Sequence, residues 1–442
     1  MRGRLFDNTE NVGLGWTDVR SLRDGLCLFV PGGTSPVTAA RASDQDVVSV
    51  GVYDTSGDEE PRLLRSAHVP LRIRTNTAVL RSLKSLAEKV LQQSATDQEH
   101  GVSVEPTPLE FPKPASTSAT PIGRLREADR LVQRGLALAR RSIRPYVLFD
   151  HWRVGVSRCQ IDAYLDPAAR PTVEWLCFDD PYVYAADPFA VPRTELGESG
   201  DGIRIFFEHF DYRNPVGDIR SVTWSEGDGF GTPRMELSEA HHLSHPTLLC
   251  AGEDILMMPE SAEVGCLTVY ERASGVWQPK CVALSGFAAV DANVIAFEGR
   301  WWLFATDGDE EPIHDLHVFV ADSPVGPWTP HRGNPVLSDP RWGRGAGTPF
   351  VHDGRLFRPT QDCTQTYGGA VVLTEITTLT MTRYAQRPVA RVTARQLGGG
   401  RGVHTLSACG PYTLVDAKDQ VLLPRASASA IAPWLKGQRA PA

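Results

Sequence analysis

Hydrophobic and polar positions follow two different periods along this chain. From Thr77 to Gln93, Leu80, Leu83, Leu86, Val90 and Leu91 recur at helical spacing and predict a helix with one apolar face. From Arg124 to Arg144, Leu125, Ala128, Val132, Leu136 and Ala139 do the same with arginines on the other side, predicting a basic amphipathic helix. Such a helix can lie on a membrane or an acidic partner, but being short and without aromatic anchors it reads more readily as a surface helix packed on its own domain. After Pro145 the helical period is lost. Short apolar runs broken by turn glycines take over, the texture of β-strands.

That second texture repeats. The segments GESGDGIRIFFEHFDY, SHPTLLCAGEDILMMPES, VDANVIAFEGRWWLFATDG and GTPFVHDGRLFRPTQDC align on the turn glycines Gly200, Gly252, Gly299 and Gly354. The glycines are spaced by 52, 47 and 55 residues, in the range of propeller blades. Each repeat continues into a third strand, and GVHTLSACGPYTLVDAKDQVLL together with the early strand PYVLFDHWRVGVS supplies a closing unit. The expected architecture is all-β, a five-bladed β-propeller over residues 145–436. It is preceded by a small α/β region (1–95), a Pro/Ser/Thr-rich linker (96–122) and the basic helix (123–144).

Composition narrows the function classes. The 442 residues carry 39 Gly, 33 Pro and 10 Trp, a turn-rich and aromatic-rich balance that suits many short strands. A net charge of −8 without a basic, aromatic-studded stripe argues against nucleic acid as a partner. There is no signal-like apolar core at the N-terminus and no run of 18 apolar residues, so a cytoplasmic protein without an integral membrane segment is expected. The eight cysteines never form C-x-x-C and read as buried thiols. The motifs G-x-S-x-G, G-x-x-x-x-G-K-[ST] and H-E-x-x-H are missing.

In a propeller, equivalent positions of successive blades converge on one channel mouth. The first strands begin at Asp187-Pro188, His245-Pro246, Asp291-Ala292 and Thr348-Pro349. Eight residues on from each turn glycine stand Glu208, Glu260, Asp307 and Asp362, an acidic register that predicts a carboxylate ring beside the channel. Crowded carboxylates raise one another's pKa, the condition for a carboxyl that donates a proton next to an ionised one. Each acidic residue taken singly reads as well as a turn cap or an arginine partner. Trp301, Trp302, Phe206, Phe207, Phe210, Tyr212 and Tyr367 flank these carboxylates, and strand alternation sends half of such side chains into the core. Candidate substrate binders are Glu208, His245, Asp307, Arg344, Arg358, Gln361, Asp362, Tyr367 and His404, with Arg341 an alternative to Arg344 for an anionic group. No local metal-ligand spacing is present, so no cofactor is expected. His245 and His404 leave room for a structural cation assembled by the ring. The pairs His241-His242 and His314…His317 read as loop residues.

The series ADPF, FEHFDY, SHP, MMPES, VDANVIAFEGRWWLFATD, DSPVGPW and RPTQDCTQTYGGAVV resembles the N-terminal domain of the glucosamine inositolphosphorylceramide transferase family and its bacterial relatives, over residues from about 146 to 415. That domain is similar in turn to the five-bladed propellers of glycoside hydrolase family 43. The resemblance implies a carbohydrate-active site with an Asp base at the start of the first blade, matched by Asp187, and a pKa-setting Asp, matched by Asp291 one blade later than the family pattern. Position two is His245, no Glu-Gly-Pro motif supplies the acid, and Glu260 in MPES stands in for it. Bacterial relatives often carry a formyltransferase-like segment in front, and RTNTAVLRSLKSLAEKVLQQ resembles its tail.

Three functions are compatible with these residues. The first is carboxylate acid/base chemistry on a glycosidic or acetal-type bond of a small glycosylated metabolite or envelope precursor, with Asp187 as base, Glu260 as acid and Asp291 setting their pKa values. The second is a non-catalytic sugar-binding or scaffolding module. The third is a tailoring enzyme using the same pocket on a non-sugar substrate. The partner in each case is a small molecule or glycan, and the sequence leaves enzyme or binder, and the oligomeric state, undecided.

Overall fold

The N-terminal region folds where β-branched strands meet one apolar helix face. In the computed structural model the described residues are 20–21, 26–31, 36–42, 45–54, 62–71, 76–109, 148–251, 254–309 and 314–422. Strands Leu26–Phe29, Val47–Asp54 and Arg62–Pro70 pair antiparallel. Their Val48, Val50, Val52, Ala67 and Val69 pack with Val79, Leu83, Leu86, Ala87 and Val90 of the helix Asn76–His100. The apolar face is thus centred one residue from the expected one: Val79 is buried and Leu80 is 41% exposed. The helix also runs past the expected boundary at residue 95, and Ser103–Val104 pairs parallel with Arg383–Val392. The basic helix expected over 123–144 lies outside the described residues.

Beyond residue 148 the chain builds antiparallel sheets, each packed on the next through its own apolar core. The first repeat forms Val183–Pro192, Ile203–Asp211 and Asn214–Ser225, extended by Gly229–Phe230 and Arg234–Leu237. The second forms Ser244–Ala251, Asp254–Glu260, Cys266–Ala273 and Val276–Ser285. The fourth forms Phe350–His352, Arg355–Asp362, Ala370–Leu379 and Arg383–Val392. A closing sheet joins Leu406–Cys409 and Tyr412–Leu422 to the early strands Leu148–Ser157 and Val173–Trp175, with Val415 opposite Gly155.

The third repeat departs from expectation. Its strands Ala289–Phe297, Arg300–Asp307 and Asp315–Ala321 are not a separate blade but three strands at one end of a nine-stranded sheet. Leu337–Ser338 pairs antiparallel with Asp315–Ala321 and parallel with Arg62–Pro70, where Ser338 meets Ala67, and so fuses the repeat to the N-terminal sheet. The fold is all-β and propeller-like with a small α/β region in front. Its discrete sheets make a four-bladed arrangement, and the five separate blades expected from the repeats are corrected by this shared sheet.

The seam is held by polar groups as well as by the ladder. Arg65 donates to the carbonyls of Pro335 and Gly333 and to Asp97. Buried His68 takes Ser49 Oγ at 2.9 Å on one ring nitrogen and faces Asp339 at 3.7 Å with the other. Of the cysteines only Cys27, Cys363 and Cys409 are buried, and Cys177 and Cys250 are exposed. Among the described residues no helix is long and apolar enough to cross a membrane.

Candidate functional site

The site begins with a backbone irregularity that three repeats share. The first strand of each is bulged against its neighbour, between Ala186 and Phe189, between Ser244 and Thr247, and between Val290 and Asn293. Within each bulge one non-glycine residue adopts a left-handed conformation: Asp187 (φ 52°), His245 (φ 43°) and Asp291 (φ 49°). That conformation costs an L-residue about 1–2 kcal/mol. A bulge re-aims a side chain that regular pleating would send elsewhere, and here it brings the three together.

The three form part of a buried row of alternating charge. Asp416 Oδ2 lies 2.5 Å from His404 Nδ1, and His404 Nε2 is 3.7 Å from Asp187 Oδ1. His245 Nδ1 stands 3.6 Å from Asp187 Oδ1 and 3.6 Å from Asp291 Oδ1. Arg344 Nε and Gln361 Nε2 both donate to Asp291 Oδ2, the latter at 3.0 Å. Thr405 Oγ1 donates to Asp187 Oδ1 at 2.8 Å, and the Asp187 backbone N–H donates to Asp416. His404 is stacked on Trp152, with the rings 3.8 Å apart and 11° from parallel. These groups assemble two Asp/His clusters able to hold a metal ion: Asp187, His245 and Asp291, and Asp187, His404 and Asp416.

Burial alone would neutralise each of these groups, but their neighbours reverse that. Asp187 is desolvated, yet the imidazoles of His404 and His245 and the Thr405 hydroxyl hold its carboxyl well below the usual range. Burial works against protonation of His245, and the Asp187 and Asp291 carboxylates overcome it, pushing the ring up to about 9. His404 is likewise raised, against its burial, by Asp416 and Asp187.

Two glutamates border this row in equivalent places. Glu208 opposes Ala186 and Glu260 opposes Ser244, the residues just before Asp187 and His245. Glu260 is partly exposed, and its Oε2 accepts the Asp291 backbone N–H at 2.8 Å. Burial and the Asp291 charge push its carboxyl up to about 7. Glu208 lies 3.3 Å from His242 Nε2 and 3.4 Å from the Tyr184 hydroxyl. His242 Nδ1 accepts the Gly217 N–H at 3.0 Å, which leaves Nε2 as the donor toward Glu208. Tyr184, His242, Glu260, Arg344 and Tyr367 keep partial exposure and form the rim of the row. Arg344 lies over the Tyr367 ring at 4.9 Å.

Other expected members lie elsewhere. In the third repeat the residue before the bulged Asp291 is Val290, and it opposes Thr306; Asp307 opposes Ala289, one residue out of step. A one-residue slip turns a strand side chain to the other face, so Asp307 leaves the ring and accepts the Asp309 N–H instead. Asp362 caps its own turn through Thr364 and pairs with Arg391, while the adjacent Gln361 points into the site. Arg358 is fully buried against the carbonyls of Gly343 and Trp342 and against Gln386. Arg341 is held by Asp339. Phe206, Phe207 and Trp302 belong to the cores between sheets, and Phe210 and Tyr212 pack with Phe149. Asp416, Asn293, Thr405 and His242 join the site unforeseen. Only Asp416 carried a local signal, a charged residue in the otherwise apolar stretch TLVDA.

Residues 176–402, slightly more than half of the chain, match the family described as glucosamine inositolphosphorylceramide transferase 1, N-terminal. The chain belongs to this family. Among curated family relatives, glucosamine inositolphosphorylceramide transferase 1 of Oryza sativa subsp. japonica is 34% identical over 219 residues, which are 47% of this chain and 28% of that protein. The Arabidopsis thaliana protein of the same name is 30% identical over 231 residues, 50% of this chain and 29% of that one. The chain therefore matches less than a third of the length of these relatives. Among solved structures, the family 117 glycoside hydrolase Zg3597 of Zobellia galactanivorans superposes with a TM-score of 0.40 at 12% identity, covering 61% of this chain and 90% of that one. A thermostable family-43 glycoside hydrolase gives 0.34 at 15% identity, covering 43% and 72%. Overlaps of this size assign no residue a role.

Proposed function

We propose that the rim of the buried row acts on a glycosidic or acetal-type bond of a small glycosylated molecule. The observation that carries this reading is the placement of Glu208 and Glu260 at the same register of adjacent sheets, both beside the buried charges. Glycoside chemistry needs two carboxyl groups with different protonation, one to protonate the leaving oxygen and one ionised. Glu260 is the proton donor, placed on the rim and bound to the Asp291 N–H. Asp291 supplies the neighbouring negative charge that disfavours ionisation of Glu260. Arg344 and Tyr367, on the rim beside Glu260, orient the substrate, and Gln361 holds Asp291 behind them.

Asp187 does not suit the base role expected of it. It accepts from Thr405 and lies between two imidazoles that hold its charge. A carboxylate stabilised that strongly accepts a proton poorly. Glu208, oriented by His242 and Tyr184, is the better-placed base, and Asp187 fixes the two histidines. The plant relatives' name, with its glucosamine and transferase parts, supports a sugar-bearing substrate.

The test is a panel of glycosides and sugar phosphates incubated with wild type and Glu260→Gln, with products read by mass spectrometry. Wild type should convert at least one compound, and E260Q should do so ~10²–10⁴-fold more slowly. The engagement of Asp187 specifically favours one alternative, a sugar-binding site without turnover. Ligands that bind wild type and E260Q equally, with no product from either, would establish it.

A further inference from the structure

We infer that Asp187, His245 and Asp291 form a binding site for one divalent metal ion of the Zn²⁺ or Mn²⁺ type. The inference rests on a buried ring nitrogen that faces two carboxylates at a distance beyond a hydrogen bond. His245 is 1% exposed, and its Nδ1 has no hydrogen-bond partner among the described residues. A buried polar atom left in that state costs about 1–3 kcal/mol unless something fills the position.

The tautomer of His245 follows from its neighbour. Asn293 Nδ2 donates to the Asp291 carbonyl at 2.7 Å, which fixes the side-chain amide and directs Oδ1 at His245 Nε2, 3.2 Å away. Oδ1 only accepts, so Nε2 keeps its hydrogen, and the proton that the two carboxylates draw onto the ring sits on Nδ1, where a metal ion would displace it to reach the lone pair. That nitrogen faces two carboxylate oxygens, Asp187 Oδ1 and Asp291 Oδ1, both at 3.6 Å. A separation of 3.6 Å is too long for a hydrogen bond. It matches ligand atoms sharing one ion, which stand about 3.3–3.7 Å apart for tetrahedral bonds of about 2.0–2.3 Å.

The surroundings complete a metal site of ordinary construction. A ligating imidazole usually donates its second N–H to an acceptor that fixes the ring, the part Asn293 plays here. Each carboxylate keeps outer partners as well, Thr405 for Asp187, and Arg344 with Gln361 for Asp291. Once the Nδ1 proton is displaced, the three groups offer a divalent ion one imidazole nitrogen and two carboxylate oxygens. One nitrogen and two oxygens suit Zn²⁺ or Mn²⁺ better than Ca²⁺ or Mg²⁺, which favour oxygen-only sites. The left-handed backbone at all three residues is the local strain that such a site would explain. His404 stays outside it, because its Nδ1 is tied to Asp416.

The experiment is isothermal titration of the full chain, stripped with a chelator, against ZnCl₂, MnCl₂, CaCl₂ and MgCl₂, with visible spectroscopy of the Co²⁺-loaded protein. Wild type should bind one Zn²⁺ or Mn²⁺ per chain, at least 10-fold tighter than Ca²⁺ or Mg²⁺. His245→Gln should lose that site, and Asn293→Leu, which removes only the group orienting the ring, should weaken it roughly 10- to 100-fold. Near-UV circular dichroism shows which variants are folded, and either folded variant suffices. The inference is overturned if wild type binds neither Zn²⁺ nor Mn²⁺, or if a folded His245→Gln protein binds as wild type does.

Discussion

The Asp291 backbone N–H is capped by the Glu260 carboxylate at 2.8 Å, so the start of one repeat's inner strand is held by the strand end of the repeat before it. Glu260 therefore has a structural duty beside its proposed chemical one, and substitutions separate the two. Glu260→Gln keeps a side-chain oxygen to accept the N–H and should leave the melting temperature nearly unchanged. Glu260→Ala leaves that N–H without its partner and should cost about 1–3 kcal/mol in denaturant unfolding. Equal stabilities for the two variants would show that the contact contributes nothing.

The register of the acidic residues gives a second expectation. Glu208 and Glu260 share a position across adjacent sheets, whereas Asp307 is one residue out of step and Asp362 is paired with Arg391. Asp307→Asn and Asp362→Asn should retain activity within about twofold. Glu208→Gln should lose ~10²-fold or more, as removal of a general base does. Steady-state kinetics on whichever substrate the panel finds decides between these patterns.

Close packing between the fourth repeat and the closing sheet makes Gly347 sensitive. Its φ is 111°, and a Cβ there would stand 2.1 Å from the Leu406 carbonyl oxygen, which is backbone and cannot rotate away. Gly347→Ala combines that overlap with a disallowed conformation and should destabilise by ~2–4 kcal/mol or prevent folding. Urea denaturation measures it. Gly299→Ala meets no atom within 4 Å at its added Cβ and, with φ 75°, should show the conformational cost alone, about 1–2 kcal/mol.

The seam between the N-terminal sheet and the third repeat should respond to acid. Burial pushes His68 down to about 4, against the pull of the Asp339 charge. The unfolded chain then binds a proton on this residue below pH ~6.5 while the folded one does not until pH ~4. The stability His68 contributes is complete above that window and lost as pH falls through it, by on the order of 3 kcal/mol. His331, also lowered to about 4 by burial, adds to the same slope. Melting temperatures from pH 7 to 4 should fall less steeply for His68→Gln than for wild type.

Much of this arrangement could be read from the residues, and the failures have physical causes. The equivalence of Asp187, His245 and Asp291 was visible because each begins an inner strand in the same repeat position, and the structure brings all three together. The acidic register failed at Asp307 because Gly299 comes second between the paired Phe297 and Arg300, whereas Gly252 comes first between Ala251 and Asp254, so the same count ends one residue further along. The fusion of the third repeat with the N-terminal sheet rests on a parallel pairing between Ala67 and Ser338, and no local pattern connects segments so far apart. Arg358 looked like an anion binder because its burial depends on carbonyls from another segment, at Trp342 and Gly343. His242 is the loop residue expected, before the strand Ser244–Ala251, but nothing in its own segment announces its partner Glu208 on the strand Ile203–Asp211.

Proton donation by Glu260 is tested most directly by how its loss depends on the leaving group. Wild type and Glu260→Gln should be compared on a series of aryl and alkyl glycosides of one sugar, spanning leaving groups from dinitrophenol to methanol. A leaving group as acidic as dinitrophenol departs without protonation, so E260Q should match wild type there within about tenfold and fall behind by ~10²–10⁴-fold toward the alkyl end. A loss of the same size across the whole series, or none at all, would contradict the assignment of Glu260 as the acid.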